Sequence, residues 1–253
     1  MTFYAVEMTN APIHLIRAWF WKNGRGCNAV IGISGGKDSS VCAALCAAAL
    51  GKERVIGVLM PNGNQSDIPD SYLLVKYLGI QSVILNIAGA VNSVHEQLKE
   101  CGIKTTAQAA INLPPRIRMS VLYAVSQSLN GRVINTCNLS EDWVGYSTRY
   151  GDSAGDVSLL GKLTVQEVKA IGRELGLPEN LIEKAPSDGL CGSTDEQKLG
   201  FSYAVLDRYI REGYCEDASV KERIDHLHQA NRFKLETLST FPSGLEEHAW
   251  HEI

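Results

Sequence analysis

Residues 32–40 read Gly32-Ile33-Ser34-Gly35-Gly36-Lys37-Asp38-Ser39-Ser40, a run suited to holding a polyphosphate. Glycines let the backbone approach an anion and present a row of N–H donors. The Ser34 and Ser39 hydroxyls can donate to phosphate oxygens. A helix starting near Ser39 adds the positive end of its dipole. Asp38 would repel a bare anion, but it fits if Mg²⁺ bridges it to the phosphates. The bland alternative is a Gly-Ser turn capped by Asp38 and Ser39. That leaves unexplained why Gly, Ser and Asp coincide between a strand-like and a helix-like segment. Two familiar phosphate motifs are excluded. A Walker loop needs Ser or Thr after its lysine, where Asp38 stands, and GxGxxG is absent.

Other chemistry-bearing residues lie in the second half, each with a plain competitor. Arg116 and Arg118 could form a solvated helix face. Glu141 could be a first-turn residue favoured by the helix dipole, with Ser140 as cap. Asp152 and Asp156 fit turns. Tyr123 and Tyr150 either pack or stack on a base. His226/His228 and His248/His251 lack cysteine partners and read as surface histidines.

The elements that must position these groups alternate. Residues 28–33 form an apolar run ending in glycine, a buried strand, and residues 39–50 a helix stopped by Gly51. Further strands are expected over 54–60, 82–86 and 133–136, and helices over 11–22, 68–78 and 90–100. Residues 107–129 should contain a long helix, with Pro114-Pro115 before its main body. Helices return at 164–175, 201–212 and 220–235. The pattern predicts an α/β fold, a doubly wound parallel sheet with helices on both faces. Ligands then bind beyond the C-terminal strand ends. Residues 145–161 are rich in Gly, Asp, Ser and Tyr and form a long loop, expected to be mobile when empty and ordered by substrate.

The 253 residues suit a single domain spanning 1–253, with 241–253 as a C-terminal tail. Net charge is −4, a poor balance for coating nucleic acid or an anionic membrane. Seven cysteines form no CxxC, and Cys42 and Cys46 fall in an Ala-rich helical run as small packed side chains. A reducing, cytoplasmic setting is expected. The N-terminus has no cationic start, and the apolar run 41–50 is too short to span a bilayer.

The run from Ser34 to Ser39 resembles the SGGxDS loop of the ATP pyrophosphatase, or PP-loop, superfamily. That resemblance implies cleavage of ATP between its α and β phosphates. Four later segments are similar to NAD synthetases: Pro115-Arg116-Ile117-Arg118-Met119 with Leu122-Tyr123; Asn135-Thr136-Cys137-Asn138-Leu139-Ser140-Glu141; the run from Gly145 to Asp156; and Lys184-Ala185-Pro186-Ser187-Asp188-Gly189-Leu190 followed by Asp195-Glu196 and Leu199-Gly200-Phe201-Ser202-Tyr203. The resemblance implies amidation of deamido-NAD by ammonia, with ATP as co-substrate and Mg²⁺. Gly32, Ile33, Ser34, Gly35, Gly36, Lys37, Asp38 and Ser39 would hold the ATP phosphates. Asp38 and Glu141 would be the catalytic metal ligands, and Thr136 and Ser187 would touch ATP. Arg116, Arg149, Asp156, Phe233 and Lys234 would bind deamido-NAD. A homodimer with the dinucleotide site at the subunit interface is implied.

Several positions depart from that pattern. Arg149 stands for a Lys, Asn135 for a Gly, Leu59 for an Arg near adenine, Phe233 for a His, and Val165 for a Lys that reaches ATP. Lys162, three residues before Val165, is expected to supply the missing cation. About thirty residues precede the loop, too few for a glutaminase domain, so free ammonia is the expected nitrogen source. The competing readings are another PP-loop enzyme, such as a tRNA-thiolating one, or a nucleotide-binding homologue without catalysis.

Overall fold

The computed structural model describes residues 5–65, 68–184 and 194–240. Ser187 and the tail 241–253, including His248 and His251, lie outside the described residues.

The chain runs α1 (Ala5–Asn23), β1 (Asn28–Gly32), α2 (Lys37–Leu50), β2 (Val55–Leu59), α3 (Ile68–Leu78), β3 (Gln81–Ile84), α4 (Ala88–Glu100), α5 (Ala107–Ser128) and β4 (Gly131–Asn135). It continues through α6 (Leu139–Trp143), β5 (Val157–Ser158), α7 (Val165–Glu174), α8 (Glu179–Ile182), α9 (Asp195–Leu199), α10 (Tyr203–Glu212) and α11 (Ala218–Asn231). The strands form one sheet in the order β3-β2-β1-β4-β5. Every pairing is parallel.

Alternate strand residues face opposite ways, so each face of the sheet needs its own cover. Ala29, Ile31, Val55 and Leu59 pack into a core with α1, α2, α3 and α7. Val30, Ile56 and Val58 pack against α4 and the Leu113, Ile117, Val121 and Val125 side of α5. This is the expected doubly wound sheet. The chain leaves β1 toward β2 and later returns to β4 on the other side, so a crevice opens between the C-terminal ends of β1 and β4. Such a switch point is where α/β sheets bind ligands. A third core of Val144, Val165, Leu199, Phe201, Tyr203, Leu206 and Ile224 joins α6, α7, α10 and α11 beside that crevice.

Four boundaries differ from expectation. Helix α2 begins at Lys37, with Gly36 as a cap that makes no side-chain bond. Asp38 and Ser39 therefore do not cap it; the Ser39 and Ser40 hydroxyls donate back to the Gly36 carbonyl, at 3.2 and 2.7 Å. Helix α5 runs straight through Pro114 and Pro115. Each proline removes a backbone donor, but the Thr106 cap and the long apolar face carry the helix past them. The loop 145–161 contains β5, whose Val157 and Ser158 pair with Ile134 and Asn135. The C-terminal helix ends at Asn231 and tightens into a 3-10 turn over Arg232–Lys234.

Candidate active site

The loop after β1 is held in shape before any ligand arrives. Gly35 sits at φ +74°, and a Cβ there would lie 2.6 Å from the Asp70 Cβ and 2.7 Å from the Ser71 nitrogen. Only glycine fits both the conformation and the space. Ser71 Oγ donates to the Ile33 carbonyl at 3.1 Å, so the start of α3 pins the loop. Ser34 and Ser39 hydroxyls meet at 3.1 Å, and the Gly36 N–H donates to Ser34 Oγ at 3.3 Å.

At the first turn of α2, Lys37 is 3% exposed. Its Nζ donates to Asp38 Oδ2 at 2.8 Å and to Glu141 Oε1 at 3.4 Å. Asp38 and Glu141, 103 residues apart by their numbers, thus converge on one point. Burial alone would lower the Lys37 ammonium, but the two carboxylates outweigh it and hold it above the ordinary lysine range. Burial, reinforced by the Asp38 charge, pushes the Glu141 carboxyl up to about 8.

Asn138 organises this pair. It is fully buried. Its Nδ2 donates to Asp38 Oδ1 at 2.9 Å, and its Oδ1 accepts the Glu141 N–H at 3.0 Å. One amide therefore orients one carboxylate and caps the short helix that carries the other. Ser140 then fixes α6 to its neighbours: its hydroxyl donates to Asp207, which also accepts the Gln166 N–H, and Ser140 Oγ accepts the Val165 N–H. Tyr203 closes the site, with Lys37 Nζ 5.9 Å from its ring centre. Its buried hydroxyl has no hydrogen-bond partner among the described residues. Burial, with Glu141 and Asp195 adding, holds that phenol far above the ordinary range.

Neither Asn138 nor Tyr203 was singled out as a site residue in the sequence. The signal for Asn138 was present: an Asn three residues before a Glu marks a helix start. Tyr203 reads as core, and it is core; its role shows only in what surrounds it.

Thr136 lies at the end of β4, beside the crevice, and is half-buried. The remaining predicted residues split into two groups. Arg149 is sandwiched between Tyr150 and Phe233, 5.1 and 5.5 Å from their ring centres. Arg116 Nε donates to the Arg149 carbonyl at 3.3 Å. Lys234 Nζ donates to the Gly145 and Ser147 carbonyls. Asp156 accepts the Val133 N–H at 2.7 Å and the Tyr123 hydroxyl at 3.3 Å. Asp156 and Lys234 line a cavity of about 280 Å³ with Asn135, Asp142, Gly155 and Ser158.

Lys162 and the two departures nearest ATP stand apart from this. Lys162 is exposed, and its carbonyl accepts from Arg211 at 2.8 Å. Val165 is 2% exposed within the third core, and Leu59 is fully buried in the first. Both are packing residues here. His228 is stacked on Trp143 at 4.1 Å between ring centres, so it is half-buried against α6 and not a free surface histidine.

The donor set suits Mg²⁺. Two carboxylates already converge on a cation, and Mg²⁺ typically takes one or two carboxylates with substrate phosphates and water completing its shell. Among the described residues no group of three or more His, Cys, Asp or Glu converges for a metal ion.

A glycine loop at a parallel-sheet switch point, facing a carboxylate pair, defines an α/β nucleotide enzyme of the PP-loop class. The NAD synthase family model matches residues 11–241. The chain belongs to that family. It is 41% identical over 184 residues to the NH3-dependent NAD(+) synthetase of Methanococcus aeolicus, covering 72% of each chain. An NMN synthetase from Francisella tularensis superposes with TM-score 0.87 at 30% identity, covering 96% of this chain and all of that one. The NH3-dependent NAD synthetase of Campylobacter jejuni superposes with TM-score 0.77, also at 30% identity, covering 95% and 100%.

Proposed function

We propose that this chain uses ATP and Mg²⁺ to amidate the nicotinate carboxylate of deamido-NAD with ammonia, giving NAD, AMP and pyrophosphate. The observation that carries the reading is the convergence of Asp38 and Glu141 beside the phosphate loop at the β1–β4 switch point. A nicotinate carboxylate oxygen attacks the α-phosphorus, and pyrophosphate leaves with the electrons of the broken P–O bond. Ammonia then attacks the acyl carbon of the adenylate. AMP departs with the oxygen that attacked phosphorus, the other carboxylate oxygen stays as the amide carbonyl, and the nitrogen sheds a proton.

Bound to the two carboxylates, Mg²⁺ would screen the charge that builds on the polyphosphate. The protein's own part is positioning and electrostatics. Backbone N–H groups and hydroxyls from Gly32 to Ser39 hold the phosphates, helped by Thr136 and Ser187, with Lys37 or Lys162 as added cation. Arg116, Arg149, Asp156, Phe233 and Lys234 take the acyl substrate. The cavity beside Asp156 and Lys234 supports their assignment.

The protein works as a cytoplasmic homodimer in this reading. Exposed Ile84, Leu85, Val94, Ile103 and Ile111 supply apolar surface on the β3 edge and around α4 and α5 for a partner copy. Sedimentation equilibrium tests it. No described helix is long and apolar enough to cross a membrane.

The decisive assay supplies ATP, Mg²⁺ and ammonium, with and without deamido-NAD. Formation of NAD with one AMP and one pyrophosphate is expected only in its presence. Equal or better turnover with glutamine would overturn the ammonia assignment. The fit to an NMN synthetase over 96% of this chain and all of that one favours a second reading, in which the nicotinate mononucleotide is the acyl substrate. The ratio of kcat/KM for the two nicotinates decides between them.

A further inference from the structure

The point between Asp38 and Glu141 already holds a cation, the Lys37 ammonium. It is buried, 2.8 Å from one carboxylate and 3.4 Å from the other. On its remaining side lies the Tyr203 ring. Without that charge the two carboxylates would face each other across a dry space, so the lysine holds the pair together when no nucleotide is bound. A Mg²⁺ bound between the two carboxylates would take the oxygens that face Lys37 at about 2.0–2.1 Å, too close to tolerate an ammonium on them as well. Binding the metal therefore requires Lys37 to leave.

A buried ammonium cannot leave for nothing. Lys37 is the first residue of α2 and directly follows Gly36. The loop of residues 34–36, given above to the ATP phosphates, directly adjoins it, so a phosphate of bound ATP is the new partner its flexible stem would take. We propose that Lys37 is an exchangeable counter-ion of the metal site, which holds Asp38 and Glu141 together in the nucleotide-free protein and passes to the polyphosphate when Mg²⁺ takes its place. Metal and nucleotide then bind with positive coupling, each making room for the other's charge. This rests on the assignment of Mg²⁺ to Asp38 and Glu141.

Mn²⁺ binding to the nucleotide-free full chain, read by electron paramagnetic resonance, tests both layers separately. Lys37→Gln removes the charge, while its amide still donates to one carboxylate, so the fold is kept. It should bind Mn²⁺ at least tenfold tighter than the wild type, and Asp38→Asn should lose Mn²⁺ binding. Lys37→Gln binding no tighter, with Asp38→Asn still impaired, overturns the exchange and leaves the metal assignment standing. Asp38→Asn binding Mn²⁺ like wild type overturns the metal assignment, and the exchange with it. The wild type alone gives a further check by thermal shift. Mg²⁺ together with an ATP analogue carrying methylene between the α and β phosphorus should stabilise more than the two separate shifts added. Simple additivity contradicts the exchange.

Discussion

The two halves of the crevice are built differently. Around the phosphate loop, charged groups are buried, mutually bonded and fixed by helix caps: Lys37, Asp38, Asn138 and Glu141 form one unit. On the other half, the groups expected to meet the dinucleotide are engaged with each other at the surface. Arg149 lies between two exposed rings and Asp156 holds the backbone of β4. In the first half only Lys37 must change partner when a polyanion and metal bind. The second must give up contacts to bind. The ring contacts of Arg149 are weak ones, since an exposed cation–π pair contributes only about 0.5–1 kcal/mol. The pairing of a rigid half with a yielding one suits an enzyme that must fix one substrate and close over the other.

The contrast can be broken from the rigid side first. Asp38→Asn should keep the fold and lose more activity than the about 10–100-fold typical of an outer-shell partner. An unchanged rate across a Mg²⁺ titration would remove Asp38 from the metal. Asn138→Ala should itself cost about 10–100-fold in metal affinity or rate, together with about 1 kcal/mol of stability from the lost cap. Asn138→Ser separates the two effects. Its hydroxyl can still cap α6 but is too short to orient Asp38, so melting temperature should partly recover while activity does not.

On the yielding side, Arg149→Ala should raise KM for the acyl substrate about tenfold, as befits a charge-assisted hydrogen bond of about 1.5–3 kcal/mol that is partly exposed. KM for ATP should hardly move. Hydrogen exchange of residues 145–161 should slow on adding deamido-NAD with an ATP analogue. Equal protection in both states would show that both halves are equally rigid.

The pH dependence of the metal-free protein follows from Glu141. Its folded carboxyl is raised from the usual carboxylate range to about 8 by burial and Asp38. The stability contributed by that shift is complete below the unfolded value and is lost as pH rises toward 8. Mg²⁺ needs the ionised form, so its affinity should rise over the same window. A Mg²⁺ affinity that is flat between pH 6 and about 9 would contradict this, as judged from the range expected for a carboxyl raised that far. The smallest effect belongs to Tyr203→Phe. Removing a buried hydroxyl that has no partner among the described residues should leave the melting temperature of the empty protein unchanged or slightly higher. A fall in kcat in the same variant would show that the hydroxyl serves the bound state.

Much of this was legible in the sequence. The alternation of short apolar runs with amphipathic segments gave the doubly wound sheet, and the loop from Gly32 to Ser40 announced its chemistry through residue types alone. Its partner Glu141 did not. A lone glutamate in a five-residue helix has no periodicity to mark it, and resemblance to a family was needed to single it out. Pro114 and Pro115 misled because local propensity argues for a break where tertiary packing of α5 prevails. Strand β5 is two residues long and owes its existence to β4, a partner no local pattern contains. The engagement of Arg149 with Phe233 joins residues 84 positions apart by their numbers, and only folding brings them together.

The most direct test labels both carboxylate oxygens of the nicotinate substrate with ¹⁸O and follows them through one turnover with ATP, Mg²⁺ and ammonium. Adenylation at the carboxylate predicts one ¹⁸O in AMP, one in the amide and none in pyrophosphate. Label in pyrophosphate or in free phosphate, or AMP without label, would contradict the account.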